Sequence, residues 1–375
     1  MSTALQQPIQ PVLSHATPAT DHLFVSNVRF LSMAAVVLSH CISASFSMAG
    51  FGPSGGVERV VRQVFAFDII GFFLISGFLM AEGLTKREPG EYLKRRLRRI
   101  FLPWLFWYLL FLATLLINDG LHGRLRLISL HEGSRWLLDR LVFCLFSSVY
   151  WFVPNLLIAL CILLACRRFL FDPLLGCALF ALSLFYGIDI HAHWIPFQGH
   201  SEALFGFIFY LWLGAWAGRN FGLIQAWNER ISTPSLIVIG VLALVAALLE
   251  SSVLSAAGNP HPMNALRICN QAYSVIVILI IFRLRRPVWP RAVNVRTTTF
   301  GIYLIHIIVL NLLMNVIKQP VGKALSGQRW EWTSTIAVCL TLGVFAVVYW
   351  VSLYLTQWVL DHRRLRWMVG APLSS

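Results

Sequence analysis

Charged side chains are scarce in this sequence of 375 residues. Asp, Glu, Lys and Arg make up only 12% of it, whereas about a quarter of a soluble globular domain is charged. Hydrophobic residues account for 58%, and the mean hydropathy is +0.71. This composition excludes an ordinary soluble domain and predicts an all-α, polytopic bundle of membrane-spanning helices.

Acidic residues are the scarcer of the two signs, sixteen against thirty Lys and Arg, which gives a net charge of +14. In a membrane protein, positive loops set the orientation in the bilayer, so we expect a lipid surface and no nucleic acid as the partner of this charge. The seven cysteines form no C-x-x-C pair and lie in or beside apolar stretches. We therefore expect neither a disulfide framework nor a metal site.

Apolar runs long enough to cross about 30 Å of hydrocarbon predict about ten transmembrane helices. With the N-terminus inside, the inner loops and tail hold nineteen Lys and Arg and the outer loops ten, with one more in the first span. The positive-inside rule then predicts that both termini are cytoplasmic. We predict a flexible tail over 1–24, a transmembrane domain over 25–360 and a basic cytoplasmic tail over 361–375. The predicted spans are 25–47, 64–84, 101–118, 147–166, 173–188, 202–218, 234–254, 266–282, 298–317 and 334–360.

The first span carries two ionisable residues, Arg29 and His40. Eleven residues make close to three helical turns and about 16 Å of rise, so both side chains point the same way. An Arg near the centre of a span costs about 2.5–3.5 kcal/mol. Arg29 alone would be read as snorkelling to the head groups, and His40 alone as bonded within the bundle. Because they lie together on one helix face, we interpret the pair as catalytic, with His40 as a general base.

Two further elements precede the third span. The stretch GFFLISGFLM contains Ser76 and Gly77, small residues whose simplest interpretation is close helix packing. Arg96 and Arg99 lie three apart and share a helix face. They anchor the chain at the inner surface, or they form a phosphate clamp, because guanidinium binds phosphate in a bidentate way.

Two more elements lie further along the chain. Tyr303 and His306 are i, i+3 neighbours in TTTFGIYLIHIIVL, and interhelical hydrogen bonding is the structural alternative to catalysis. Trp151 and Asn155 lie in VYWFVPNLLIAL. An interfacial aromatic belt is the structural alternative to a binding role for Trp151. Outer loops at 119–140 and 186–201, rich in His and Trp, are predicted to contact a sugar.

The motifs described above, in their order along the chain, resemble those of the acyltransferase 3 family of integral-membrane O-acyltransferases. One departure is Ile70, which stands where the family often has an aspartate two residues before its FF pair. Asp68 lies two residues earlier, on a different face, and is given no role. The residues that carry the resemblance are Arg29, His40, Phe72, Phe73, Ser76, Gly77, Arg96, Arg99, Pro103, Trp151, Phe152, Tyr303 and His306.

The resemblance implies transfer of an acyl group, usually acetyl, from cytoplasmic acyl-CoA to a hydroxyl of a carbohydrate. Acetyl-CoA is then the donor, with no metal. We expect the acceptor to be an extracytoplasmic or lipid-linked saccharide, such as an exopolysaccharide or O-antigen unit, in a bacterial inner membrane with polysaccharide-biosynthesis partners. A transporter or flippase for a lipid-linked saccharide or small molecule is the main alternative, and a scaffold or sensor in a biosynthetic complex is the second.

Residue roles follow from the resemblance together with the chemistry. Basic residues at the inner surface would hold the CoA phosphates, and His40 would deprotonate the acceptor hydroxyl or first pass the acyl group onward. A nearby polar group would stabilise the oxyanion. The candidates are Arg29, Arg96 and Arg99 for the phosphates; Ser76, Tyr303 and His306 beside His40; and Trp151, Asn155 and Trp194 for the acceptor.

Overall fold

The protein is described by a computed structural model that covers residues 18–50, 56–121, 130–196, 199–291, 293–325 and 330–372. Within these ranges every regular element is helical, which confirms the predicted all-α class. The α-helices are α1 Pro18–Met48, α2 Gly56–Phe65, α3 Asp68–Lys86, α4 Pro89–Arg96, α5 Leu102–Leu121, α6 Leu130–Val142, α7 Phe152–Ala165, α8 Pro173–Ala192, α9 Ile208–Arg219, α10 Phe221–Arg230, α11 Thr233–Ala256, α12 Ile268–Phe282, α13 Val295–Leu325 and α14 Trp330–Asp361.

Seven helical segments in the described part of the chain are long and apolar enough to cross a membrane. An eighth is added if Gly133–Ser147 and Val149–Ala165, bent by 71° at their junction, form one broken span. Each of the ten predicted spans contains a helix, but α9 has 12 residues and α12 has 15. Both are shorter than the roughly 20 residues of a full crossing, so the number of crossings and the side of the termini stay predictions.

Helices α3 and α9 cross with their backbones in contact. A Cβ atom on Gly77 would overlap the carbonyl oxygen of Leu211, and one on Gly214 would overlap that of Leu74. Small residues permit this approach where no hydrophobic effect drives helices together. Close packing is therefore the role of Gly77, as its sequence context favours.

The break before α7 is fixed to α13 by two tyrosines. The hydroxyl of Tyr150 donates to the carbonyl oxygen of Leu304 at 2.9 Å, and that of Tyr303 donates to the carbonyl oxygen of Val149 at 2.6 Å. Ser148 accepts the backbone N–H of Tyr150 and so begins the short 3₁₀ turn at the break. This reciprocal tyrosine pair holds the start of α7 against the middle of α13.

The segment after α14 packs against α5. A 3₁₀ turn spans Arg366–Val369, and the indole of Trp107 donates to the Met368 carbonyl oxygen at 2.8 Å. Gly370 follows with φ +74°, a left-handed conformation that glycine adopts without strain. The part of the predicted basic tail up to residue 372 therefore lies against the helical bundle.

Candidate active site

One cavity of about 500 Å³ runs along α1, α3, the start of α7 and α13. Its lining changes in character from end to end, and we name three parts. The basic end is formed by Arg29, Arg96, Arg99 and Arg296; the middle by His40, Phe72, Ser76, Phe152 and Tyr303; and the polar end by Ser39, Ser43, Arg62, Asp68, Trp151 and His200.

The basic end gathers four guanidinium groups, from α1, from α4, from the segment between α4 and α5, and from α13. Arg29 lies within electrostatic reach of Arg296 and Arg96. Among the described lining residues of the whole cavity, Asp68 at the polar end is the one carboxylate. This end therefore attracts anions, and phosphate most of all. Sequence reasoning missed Arg296, although it stands directly before the Thr-rich start of the YLIH helix.

A groove of about 450 Å³ adjoins the basic end on its outside. Arg95, Arg98, Arg99 and Trp367 line it, and the turn at 370–372 forms the wall shared with the main cavity. The indole of Trp367 is 38% exposed and packs edge-on against Phe106, with ring centroids 5.6 Å apart. An exposed indole beside arginines suits a flat ring that carries phosphate groups.

The middle of the cavity is set by helical periodicity. Arg29, Val36, His40 and Ser43 all line it, as expected for positions seven, eleven and fourteen residues along one helix. Helical periodicity also places the two adjacent phenylalanines of α3 on different sides. Phe72 and Ser76, four apart, face the cavity, whereas the neighbouring Phe73 stacks on a ring of the α8–α9 connection.

His306 lies beside His40 but outside the cavity lining. Its side chain is fully buried, and its ring centroid is 5.6 Å from that of His40. Its Nδ1 is 2.8 Å from the carbonyl oxygen of Tyr303 and 3.1 Å from that of Ile302. Tyr303 does line the cavity, but its hydroxyl proton is held by the Val149 carbonyl. It would have to leave that bond to serve an oxyanion.

Asp68 begins α3 at the polar end. Its Oδ1 accepts the N–H of Ile69 at 2.7 Å, and its Oδ2 accepts the hydroxyl of Ser39 at 3.4 Å. Ile70, at the position of the family's usual aspartate, is fully buried outside the cavity. The carboxylate thus reaches the cavity from two residues earlier, a placement that the sequence comparison left without a role.

Trp151 and His200 form the aromatic side of the polar end. Their ring centroids are 5.1 Å apart, and Trp151 is 7% exposed. Burial, with repulsion from Arg62 and His261, lowers the pKa of His200 to about 4. Its ring is therefore neutral near pH 7 and offers hydrogen bonds there without a charge.

Two predicted acceptor residues lie apart from this cavity. The Asn155 side chain is buried and donates to the Ser201 carbonyl oxygen at 3.2 Å. Trp194 is 65% exposed and stacks on Phe185. The side chains of His131 and Gln198, in the loops predicted to contact a sugar, lie outside the described residues. In the described part of the chain, no three His, Cys, Asp or Glu residues are grouped to hold a metal ion.

The fold and the cavity define a polytopic helical membrane protein with an anion-attracting end, a central imidazole and a polar far end. The model of the acyltransferase 3 family, described as an acyltransferase domain, matches residues 22–356. The chain belongs to this family and is a membrane acyltransferase, which confirms the predicted resemblance and favours it over a transporter. No curated protein and no solved structure gives a significant match.

Proposed function

We propose that the protein transfers an acetyl group from cytoplasmic acetyl-CoA to a hydroxyl of an extracytoplasmic saccharide. The observation that carries the proposal is the single cavity in which His40 stands between four arginines and a polar, aromatic far end. Donor and acceptor can approach His40 from opposite ends, so both reactants meet at one imidazole. The excess of Lys and Arg in the predicted inner loops supports a cytoplasmic basic end, and the membrane we propose is a bacterial inner membrane.

The donor fits the basic end by charge and by length. CoA combines phosphate groups with a long, thin pantetheine arm that ends in the thioester. Arg29 and His40 are about 16 Å apart along α1, a distance comparable with that arm. We place the nucleotide in the outer groove, against Trp367 and the arginines beside it, and the arm past Gly370 into the cavity.

The chemistry is a direct transfer with general-base help from His40. The acceptor hydroxyl gives its proton to a ring nitrogen of His40 as its oxygen bonds to the acyl carbon. The C–S bond then breaks, and the CoA thiolate takes the proton from His40 as it leaves. The products are the ester and free CoA, and His40 returns to its starting state. A positioned general base contributes about 10²–10⁴-fold to such a rate.

The polar end suits a sugar. A carboxylate at Asp68, a guanidinium at Arg62 and a neutral imidazole at His200 offer acceptors and donors for hydroxyl groups, and Trp151 offers an aromatic wall. This end carries no excess of positive charge, because one guanidinium, that of Arg62, stands against the carboxylates of Asp68 and Glu58, the latter paired with Arg62 at 3.4 Å. A neutral or weakly charged saccharide fits this end better than a polyanion.

An acyl-transfer assay tests the proposed function. Purified protein in lipid discs is given radiolabelled acetyl-CoA and a panel of saccharides, and acylated product is separated from free acetate. Transfer of label to at least one saccharide is the expected result. If folded protein and intact donor give no label transfer to any saccharide, the proposed saccharide acceptor is ruled out.

Arg96→Gln and Arg99→Gln are each expected to raise the KM for acetyl-CoA by about 10- to 100-fold. A hydrogen bond to a charged group is worth about 1.5–3 kcal/mol, and each tenfold change corresponds to about 1.4 kcal/mol. Acetyl-pantetheine lacks the nucleotide, so its KM should stay the same in both variants. Arg168→Gln, an exposed arginine outside both cavities, is the matched control. An equal rise in KM for acetyl-CoA and for acetyl-pantetheine would argue against phosphate binding by these arginines.

Trp151→Ala is expected to raise the KM for the saccharide about tenfold and to leave the KM for acetyl-CoA unchanged. The indole supplies the aromatic wall at the polar end, and a stacking contact is worth about 0.5–1.5 kcal/mol beyond its buried area. Initial rates at varied acceptor and saturating donor measure the effect. Trp227→Ala, on an exposed face of α10, serves as the control, and a change confined to the donor KM would contradict the placement.

A further inference from the structure

The hydrogen-bond pattern of His306 fixes which of its nitrogens carries a hydrogen. Nδ1 lies within 3.1 Å of two backbone carbonyl oxygens, those of Ile302 and Tyr303. A carbonyl oxygen only accepts, so Nδ1 must be the N–H of the neutral ring. Nε2 is then a bare acceptor, and in the described structure it is buried without a hydrogen-bond partner.

A buried acceptor without a partner is rare and calls for an explanation. The neighbouring imidazole of His40 supplies one. The two ring centroids are 5.6 Å apart with the planes tilted by 44°, so two nitrogens reach hydrogen-bond range when the rings turn toward each other and approach slightly. His40 borders the cavity, whereas His306 stands behind it and is not exposed to it.

We propose that His306 is a positioning residue for His40, an inference that rests on the proposed function of His40 as the base. The bare Nε2 of His306 accepts an N–H from one nitrogen of His40. The other His40 nitrogen then keeps its lone pair toward the acceptor hydroxyl. This tautomer is the one that a general base needs, and a partner that fixes the tautomer is typical of catalytic histidines.

The same bond assists the proton transfer. When the acceptor hydroxyl gives its proton to His40, the ring becomes an imidazolium, and the lone pair of His306 stabilises the N–H that points to it. The proton leaves with the CoA thiolate, and the bond between the two histidines is unchanged. In this tautomer His306 has no hydrogen directed at the reacting atoms, which speaks against the oxyanion role expected for it from the sequence.

Two variants of similar size and polarity test the proposal. The Asn side chain of His306→Asn can keep the contact to the backbone carbonyls but is too short to reach His40. The Gln side chain of His306→Gln can put its carbonyl oxygen near the place of Nε2. We expect kcat to fall about 100-fold in the Asn variant and less than tenfold in the Gln variant, with the KM for acetyl-CoA unchanged in both. Steady-state kinetics in lipid discs and thermal melting of each protein are the measurements.

A double-mutant comparison completes the test, since residues that act as a unit are not additive. Adding His306→Asn to His40→Ala should cause no further loss of activity, because no base is left to position. The inference is overturned if His306→Asn keeps wild-type kcat, or if both His306 variants lose activity in step with their melting temperatures. It is also overturned if the double variant loses activity by the product of the factors measured for His306→Asn and His40→Ala. A wild-type protein that transfers no acyl group would instead refute the proposed function.

Discussion

His40→Ala is expected to lower acyl transfer by at least 100-fold while the protein stays folded in the membrane. The imidazole is the one basic group in the middle of the cavity among the described residues, and general-base catalysis contributes about 10²–10⁴-fold. Because His40 borders open space, removing its ring leaves the helix contacts of α1 largely intact. The KM for acetyl-CoA should not change, since the arginines proposed to bind the donor lie at the basic end of the cavity. Initial rates with labelled acetyl-CoA and the accepted saccharide measure both values.

His362→Ala is the matched control for this experiment. His362 is exposed at the end of α14, with its Nδ1 at 2.7 Å from the Trp358 carbonyl oxygen, and lies outside both cavities. We expect wild-type rates from it. Full activity of His40→Ala would eliminate the general-base mechanism, and an acyl-enzyme detected in His40→Ala would show that another side chain acts as a nucleophile in place of direct transfer.

Gly77→Ala is expected to destabilise the protein by about 3 kcal/mol or more. The added carbon would overlap the Leu211 carbonyl oxygen, which belongs to a helix backbone and cannot rotate away. Overpacking of a close-packed interior typically costs about 1–3 kcal/mol, and more where the backbone has to move. The prediction is checked by the thermal transition of tryptophan fluorescence in detergent.

Gly343→Ala provides the control in the same experiment. Gly343 lies inside α14, and a Cβ atom there would meet nothing within 4 Å. Ala has the higher helix propensity by about 1 kcal/mol in an exposed helix interior, so the melting temperature should stay the same or rise slightly. A similar fall in melting temperature in both variants would mean that replacing any helix glycine destabilises the protein, so that the effect is not specific to the contact between α3 and α9.

The helical class follows from the sequence because a bilayer demands internally satisfied backbone groups, which long apolar runs can meet only as helices. Local hydropathy does not report how a run bends. The stretch 141–152 is apolar apart from Ser147 and Ser148, yet it breaks by 71°, and two tyrosine hydroxyl groups hold the break by bonding to carbonyls 154 residues away. Contacts at that separation cannot be read from one sequence.

The candidate site was predictable to the extent that helical spacing governs it. Arg29 and His40 share a cavity because they lie eleven residues apart on one helix. Arg62, Asp68 and His200 stand on other elements, and each has an ordinary sequence context. Their approach to His40 depends on how helices cross, and that depends on backbone contacts such as the one at Gly77.

The four guanidinium groups at the basic end have a consequence for the electrical seal of the membrane. A cavity that joined a cytoplasmic donor to an extracytoplasmic acceptor, as the proposed function requires, would also be a path for protons and small cations, which would dissipate the ion gradients of the cell. Positive groups lining a narrow passage exclude cations electrostatically, as in water-selective pores. If the proposed donor binds there, the same arginines would attract its phosphates and repel cations, so that electrical insulation and donor selection would have one physical origin.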